Sequence, residues 1–397
     1  MFQKLFILAT VALTAVNAHP GSHVIVNAAA APQTIKLKET YPPAFAIPTA
    51  KPEWLELIKN VNITKAPVYK NVNDAGPQPE VAGKDPHCDW TFTGCFGKED
   101  LYECPKGQWA LTYDDGPSEF SPKLYDYLDQ VNVKATFFMV GGQVVQFPDY
   151  ALRAFKSGHE LAMHTWSHNY MTTLTNEQIV AELKWNELVI KEVTGVAPRY
   201  FRPPYGDIDN RVRGVAAALG FAPIIWNHDT NDWAYASNPK AFKESWIDGN
   251  VTKWANAAKT ATVGGISLEH DLYTQTVDAA IRILPILQKE YELVPAGKCN
   301  NVQVYKGNAT VPVVSSASST AIANATSSTA IASTTTTPVA VAPTPNAVGA
   351  VDAAAAVSSS SSAAAGIAAN AVGSSASFTR ANTIGLGVAA IAAMALV

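Results

Sequence analysis

The sequence predicts an α/β fold built on a parallel sheet, either open or closed into a barrel. Three observations carry this. Between Cys88 and Cys299, short apolar runs alternate with longer stretches of helical character, and alternation of this kind implies βα units and parallel strands. Polar clusters follow several apolar runs directly, where such folds place their chemistry, at the carboxyl ends of strands. The chain is 48% hydrophobic, enough for a large core and incompatible with global disorder.

Taken in order, the strand candidates are 109–112, 135–140, 160–163, 223–226, 265–268 and 291–294, each an apolar run. Helix candidates fill the gaps at 122–130, 144–157, 175–193, 210–219 and 276–290. The clearest opens on Thr175-x-x-Gln178, a capping box. Ile179, Leu183, Ile190 and Val193 then share one helical face, and Gly195 and Pro198 stop the helix. No internal repeat is visible. Upstream, 19–87 is Pro-rich and irregular, with a short helix at 52–60. It reads as an N-terminal extension to a domain spanning 88–300.

At 397 residues the chain is long for one domain and suggests a large domain with tails. Net charge is −4, from 33 acids and 29 bases with no basic run. That disfavours nucleic acid or another polyanion as partner; a neutral or cationic substrate fits better. Residues 1–18 carry Lys4, an apolar run and Val16-Asn17-Ala18, the pattern of a secretory signal peptide. From Gly307 to Thr379 the only charged residue is Asp352 and the only aromatic Phe378. Such a segment cannot bury a core, so 307–373 reads as an extended, O-glycosylated stalk. In 374–397, a polar spacer precedes the uncharged apolar tail 384–397, and the small residues Gly373, Ser374 and Ser375 stand before it. The tail is short for the ~20 residues of a spanning helix. The pattern is that of a GPI-anchor signal, so the expected location is the outer face of the plasma membrane or the cell wall.

Cys88, Cys95, Cys104 and Cys299 are an even set in a chain expected to be secreted. They read as two disulfides with three connectivities open. Sequons at Asn62, Asn250, Asn308 and Asn324 agree with that route.

Five clusters carry the chemistry. Tyr113-Asp114-Asp115-Gly116-Pro117 ends the first strand; adjacent carboxylates raise one another's pKa unless a cation is present. His164-Thr165-Trp166-Ser167-His168 ends another. If the chain turns helical there, the i,i+4 spacing puts both imidazoles on one face, a usual metal pair. Asp114 or Asp115 is the natural third ligand. Asp-His-His suits hydrolytic zinc and also non-haem iron; with no sign of an oxidative co-substrate, zinc is preferred. Lone His87, His159 and His228 read as surface or capping residues. Arg202-Pro203-Pro204-Tyr205-Gly206-Asp207 is a proline-stiffened exit that fixes where Arg202 and the Tyr205 backbone point. Asp229-Thr230-Asn231-Asp232-Trp233 and Ile266-Ser267-Leu268-Glu269-His270-Asp271 complete the set.

In this order the five motifs resemble those of the polysaccharide deacetylase family, carbohydrate esterase family four, over about residues 104–299. Tyr113 stands where Phe is common. The resemblance implies a distorted (β/α) barrel of about seven strands. It implies that Asp115, His164 and His168 hold a divalent metal, zinc by preference with cobalt as the alternative. It implies Asp114 as general base, paired with Arg202, and the Tyr205 backbone N–H as oxyanion donor. His270 would be the acid, tuned by Asp232 in preference to Asp229, with Trp233 and Leu268 lining the acetyl pocket. In a nearly closed barrel Cys104–Cys299 is the natural long bridge, leaving Cys88–Cys95 as a local one. With the stalk and anchor, the chain looks most like fungal cell-wall chitin deacetylases. Chitin or its oligomers are then the substrate, a monomer is expected, and the membrane is reached through the anchor. Acetylxylan is the rival substrate; a wall mannoprotein that only binds glycan is the rival of another class.

Overall fold

The computed structural model describes residues 35–72, 76–307, 309–310 and 312. The signal segment 1–18, most of the stalk, segment 374–397 with Gly373, and the sequons at Asn308 and Asn324 lie outside the described residues.

The strands are β1 (Cys104–Pro105), β2 (Gln108–Asp114), β3 (Thr136–Met139), β4 (Glu160–Met163), β5 (Tyr200–Phe201), β6 (Ala222–Pro223), β7 (His228–Asp229), β8 (Val263–His270) and β9 (Glu292–Leu293). In space β7, β8, β2, β3, β4, β5 and β6 follow one another, every neighbouring pair parallel. β9 pairs with the start of β2, and β1 runs antiparallel to β8. The segment from β6 to β7 is continuous in sequence, yet it bonds β5 at its start and β8 at its end. It therefore bridges the two edges of the sheet and bends it into a distorted (β/α) barrel.

The apolar run read as one strand at 223–226 does not hold as such. Pairing with β5 ends at Pro223 and pairing with β8 begins at His228; between them the run bridges Leu101 through Ile224 as it crosses from one edge to the other. β5, only Tyr200–Phe201, is not among the expected strands, because two residues carry no periodicity. The helix expected at 144–157 is two, Gly141–Gln146 and Pro148–Lys156. Pro148 has no N–H to continue the first and opens the second. Helix Asn176–Thr194 has the expected reciprocal cap between Thr175 and Gln178 and ends at Gly195, φ 84°.

Register sorts the side chains. Thr112 faces Leu268, and Asp114 faces both Phe138 and His270; residues opposite one another share a side of the sheet. On that side Ala110, Phe138, Ala162 and Ile266 fill the barrel with the Cys104–Cys299 bridge. The alternate residues Trp109, Leu111, Tyr113, Phe137 and Met139 pack under the helices. Of the surface and capping roles expected for it, His159 takes the second: it is fully buried, and its Nδ1 accepts the Ala135 N–H at 3.2 Å. His228 is partly buried between the rings of Trp109 and Trp254.

The second disulfide joins Cys88 to Cys95. The described part of the extension lies on the barrel. Trp54 meets Trp185 edge-on, and the Trp185 indole N–H donates to the Thr49 carbonyl at 2.9 Å. Beyond Cys299, buried Tyr305 accepts the Leu161 N–H at 3.0 Å, so residues 301–305 still belong to the packed body. Asn62 is exposed; Asn250 is half-buried on helix Glu244–Ala257.

Candidate active site

Four strand ends converge. Asp114 is the last residue of β2, His270 the last of β8, His164 follows β4 and Arg202 follows β5. After Asp114 the chain turns sharply, with Asp115 at φ 74°. Gly116 is required next to it, because the Asp271 carboxylate occupies the space a Cβ would take.

The two imidazoles do not share a helix face, as the i,i+4 spacing had suggested. Residues 164–170 form a loop in which Thr165 (φ 62°) and His168 (φ 59°) are left-handed, and the turn brings the rings to 4.9 Å. Helix Asn176–Thr194 holds this loop. The buried Glu182 carboxylate accepts the N–H groups of Trp166 (2.7 Å) and Ser167 (2.8 Å) and the Ser167 hydroxyl. Asn186 Nδ2 donates to the carbonyls of Met139 (2.8 Å) and Thr165 (2.6 Å). Neither residue belongs to one of the five motifs. The signal was present, however: two polar residues four apart interrupt the buried stripe Ile179, Leu183, Ile190.

Asp115, His164 and His168 each offer one donor atom, and these atoms lie within 4.8 Å of one another. Asp115 Oδ1 stands 3.1 Å from His168 Nε2 and 3.5 Å from His164 Nε2. The chemistry of the set fits a metal. His164 Nδ1 donates to the Arg202 carbonyl at 2.8 Å, which leaves the Nε2 lone pair facing the carboxylate. Burial, with His168 close by, pushes the His164 pKa well down, so the ring is neutral. A neutral imidazole held by a backbone carbonyl through its other nitrogen is the usual state of a ligating histidine.

Asp114 is almost fully buried. Burial raises its pKa, Arg202 opposes, and the outcome is about 6. Arg202 is fully buried. Its Nη1 donates to Asp114 Oδ1 and to Thr112 Oγ1, both at 2.7 Å, and its Nε donates to the Ile224 carbonyl at 3.1 Å. The guanidinium lies 4.1 Å from the Phe138 ring centroid. Thr112 thus joins the site through Arg202; inside a strand nothing distinguished it from ordinary β-branched core.

On the other flank Asp232, at the start of helix Asp232–Ser237, takes the His270 imidazole Nδ1 at 2.7 Å and the His270 backbone N–H at 2.8 Å. Burial alone would lower the imidazole, but Asp232, with Asp115 and Asp114 near, pushes it up to about 10. Asp229 instead accepts the Asn231 N–H at 2.7 Å. Leu268 is buried, whereas Trp233 is 42% exposed and forms a rim more than a lining. Tyr205, φ 61°, stacks on Tyr170 at 3.9 Å and meets His168 edge-on at 4.7 Å.

The family model described as "Polysaccharide deacetylase" matches residues 102–224. Chitin deacetylase 1 of Cryptococcus neoformans var. grubii is 40% identical over 294 residues, 70% of this chain. The chain spans 61% of the length of that relative. Chitin deacetylase 1 of Saccharomyces cerevisiae is 32% identical over 251 residues, covering 59% of this chain and 79% of the relative. Among solved structures, the chitin deacetylase of Colletotrichum lindemuthianum superposes with a TM-score of 0.48 at 30% identity, over 52% of this chain and 95% of that one.

Proposed function

This chain belongs to the polysaccharide deacetylase family, and on that premise we propose that it hydrolyses the N-acetyl groups of chitin, giving acetate and glucosamine units. The observation that carries the reading is the trio Asp115, His164 and His168 set between a carboxylate bound to Arg202 and an imidazole bound to Asp232. Both named relatives are chitin deacetylases.

Asp115, His164 and His168 would hold a divalent metal, zinc by the choice of nitrogen and oxygen donors. Bound there, zinc supplies Lewis acidity toward the acetamide carbonyl and makes water a nucleophile near neutral pH. Asp114 is the base. Arg202 occupies its Oδ1, which leaves Oδ2 to take the proton of the attacking water. Its raised pKa makes it a stronger base than an exposed carboxylate. His270 is the acid: Asp232 holds Nδ1 and favours the imidazolium, so Nε2–H is available to the departing amine. The Tyr205 N–H, presented by its left-handed turn, donates to the developing oxyanion. Leu268 and Trp233 bound the acetyl methyl from inside and from the rim.

Secretion and a GPI anchor are part of the proposal, supported by the patterns of residues 1–18 and 374–397. The test of function is acetate release from chitin oligomers and from acetylxylan, with and without a chelator. Release from the oligomers that the chelator abolishes is expected. Preference for acetylxylan overturns the substrate, and release from neither overturns the enzyme reading in favour of a glycan-binding wall protein.

A further inference from the structure

The N-terminal extension reaches the loop that carries both histidines. Tyr41 stacks on Trp166, centroids 5.7 Å apart and planes 13° from parallel. The Trp166 indole N–H donates to the Pro43 carbonyl at 3.1 Å. Trp166 stands between His164 and His168 in sequence and is fully buried. Further along, Gly76 lies against Tyr170, so closely that a Cβ there would come within 2.8 Å of the ring. Tyr170 is the ring on which Tyr205 stacks, and Tyr205 abuts His168. Tyr69 ties the same region down by donating its N–H to the Thr172 carbonyl at 3.0 Å.

Tyr41 is itself fixed. Its hydroxyl donates to Glu192 Oε2 at 2.7 Å, on the helix that supplies Glu182 and Asn186. The loop is therefore gripped from beneath by that helix and from outside by the extension. It needs both, because Thr165 and His168 sit in left-handed backbone that a side chain rarely adopts, and such backbone persists only where its surroundings hold it.

From these contacts we infer that the N-terminal extension is a strap that positions the metal-binding loop, rather than a cover laid over a finished domain. The inference rests on the reading of Asp115, His164 and His168 as a metal centre. Tyr41 and Gly76 are positioning residues: they act on His164 and His168 through Trp166, Tyr170 and Tyr205.

The experiment uses the full chain. Zinc affinity is measured by competition with a chromophoric chelator, the absorption spectrum is recorded with cobalt(II) in place of zinc, and folding is followed by urea denaturation. Tyr41→Ala removes the stack, and Tyr41→Phe keeps it. Gly76→Ala crowds the Tyr170 ring and also strains a backbone at φ 83°, and serves if Tyr41→Ala fails to fold. Leu57→Ala is the control, since Leu57 is 46% exposed in the same extension. Tyr41→Ala and Gly76→Ala are expected to weaken zinc binding about tenfold, as loss of a supporting partner does at other metal sites, and to change the cobalt spectrum. Leu57→Ala should match the parent, and Tyr41→Phe, which keeps the stack but loses the bond to Glu192, should fall between the parent and Tyr41→Ala. If Tyr41→Ala and Gly76→Ala lose stability but keep the parent's affinity and spectrum, the strap is overturned and the extension is a cover. A parent chain that takes up neither zinc nor cobalt overturns the metal centre itself.

Discussion

At adjacent positions, Asp114 gives one oxygen to Arg202 Nη1 at 2.7 Å, while Asp115 turns one toward His168 Nε2 at 3.1 Å. The sequence shows two carboxylates at a strand end but not which does which; the left-handed turn at Asp115 separates their directions. Asp115→Asn should lose metal affinity, with activity partly restored by added zinc. Asp114→Asn should keep the metal and lose activity by ~10²–10⁴-fold, the usual cost of removing a general base. Metal content measured beside rates checks both, and the reverse pattern would exchange the two roles. His159, a lone histidine that reads from sequence as a surface or capping residue, is buried and caps a backbone N–H. Its Nδ1 must stay an acceptor for the Ala135 N–H, and burial pushes its pKa down to about 3. The unfolded chain takes a proton near the ordinary value of 6.5 while the folded chain does not. The stability this neutral imidazole supports is therefore complete above 6.5 and lost as pH falls toward 3. His159→Asn removes the titration. Its unfolding free energy in urea should lie below the parent's at pH 8, and the gap should narrow by about 2 kcal/mol by pH 5. A constant gap across that range would show that His159 is not titrating between the two states.

Among the elements, long periodic segments were legible and short ones were not. Helix Asn176–Thr194 was readable end to end, because its cap, apolar face and terminal glycine all state the same thing. The metal loop was found by residue type but misjudged in shape, since i,i+4 spacing is compatible with a helix and with a loop held by neighbours. What holds it is Glu182 and Asn186, visible only as polar breaks in the apolar stripe. Glu182→Ala should leave the N–H groups of Trp166 and Ser167 buried without acceptors. At about 1–3 kcal/mol for each orphaned group, a loss of about 2–6 kcal/mol is expected in urea unfolding. Metal should be lost with it. Glu182→Gln, which keeps one acceptor oxygen, should fall between parent and Ala. If Glu182→Ala unfolds like the parent, the helix is not what shapes the loop.

For the molecule as a whole, the βα alternation fixed parallel strands but left open whether the sheet closes. Closure depends on the segment from β6 to β7, whose pairing partners are set by tertiary position and not by its own apolar pattern. The cysteines bear on the same question. Cys104 lies on β1, which pairs with β8, and Cys299 ends helix Ala296–Cys299, the last among the described residues, so their bridge ties the chain's entry into the barrel to its exit. The two disulfides close loops of very different length, with sequence separations of 195 and 7. Chain entropy alone assigns about 5 kcal/mol to the long loop and about 2.5 kcal/mol to the short one. Cys104→Ser with Cys299→Ser should therefore cost roughly twice as much unfolding free energy as Cys88→Ser with Cys95→Ser, by the same entropy rule. The short bridge has a further support that does not depend on its own loop: Arg213 donates to the carbonyls of Cys88 and Cys95 and pairs with Asp100. With those bonds intact, loss of Cys88–Cys95 should leave the barrel and the catalytic groups in place, and activity at ordinary temperature should persist. Loss of Cys104–Cys299 should lower the melting temperature more and speed inactivation on heating. Equal costs for the two pairs, or the larger cost for the short one, would mean that barrel closure is held by packing and strand pairing, with the long bridge adding little.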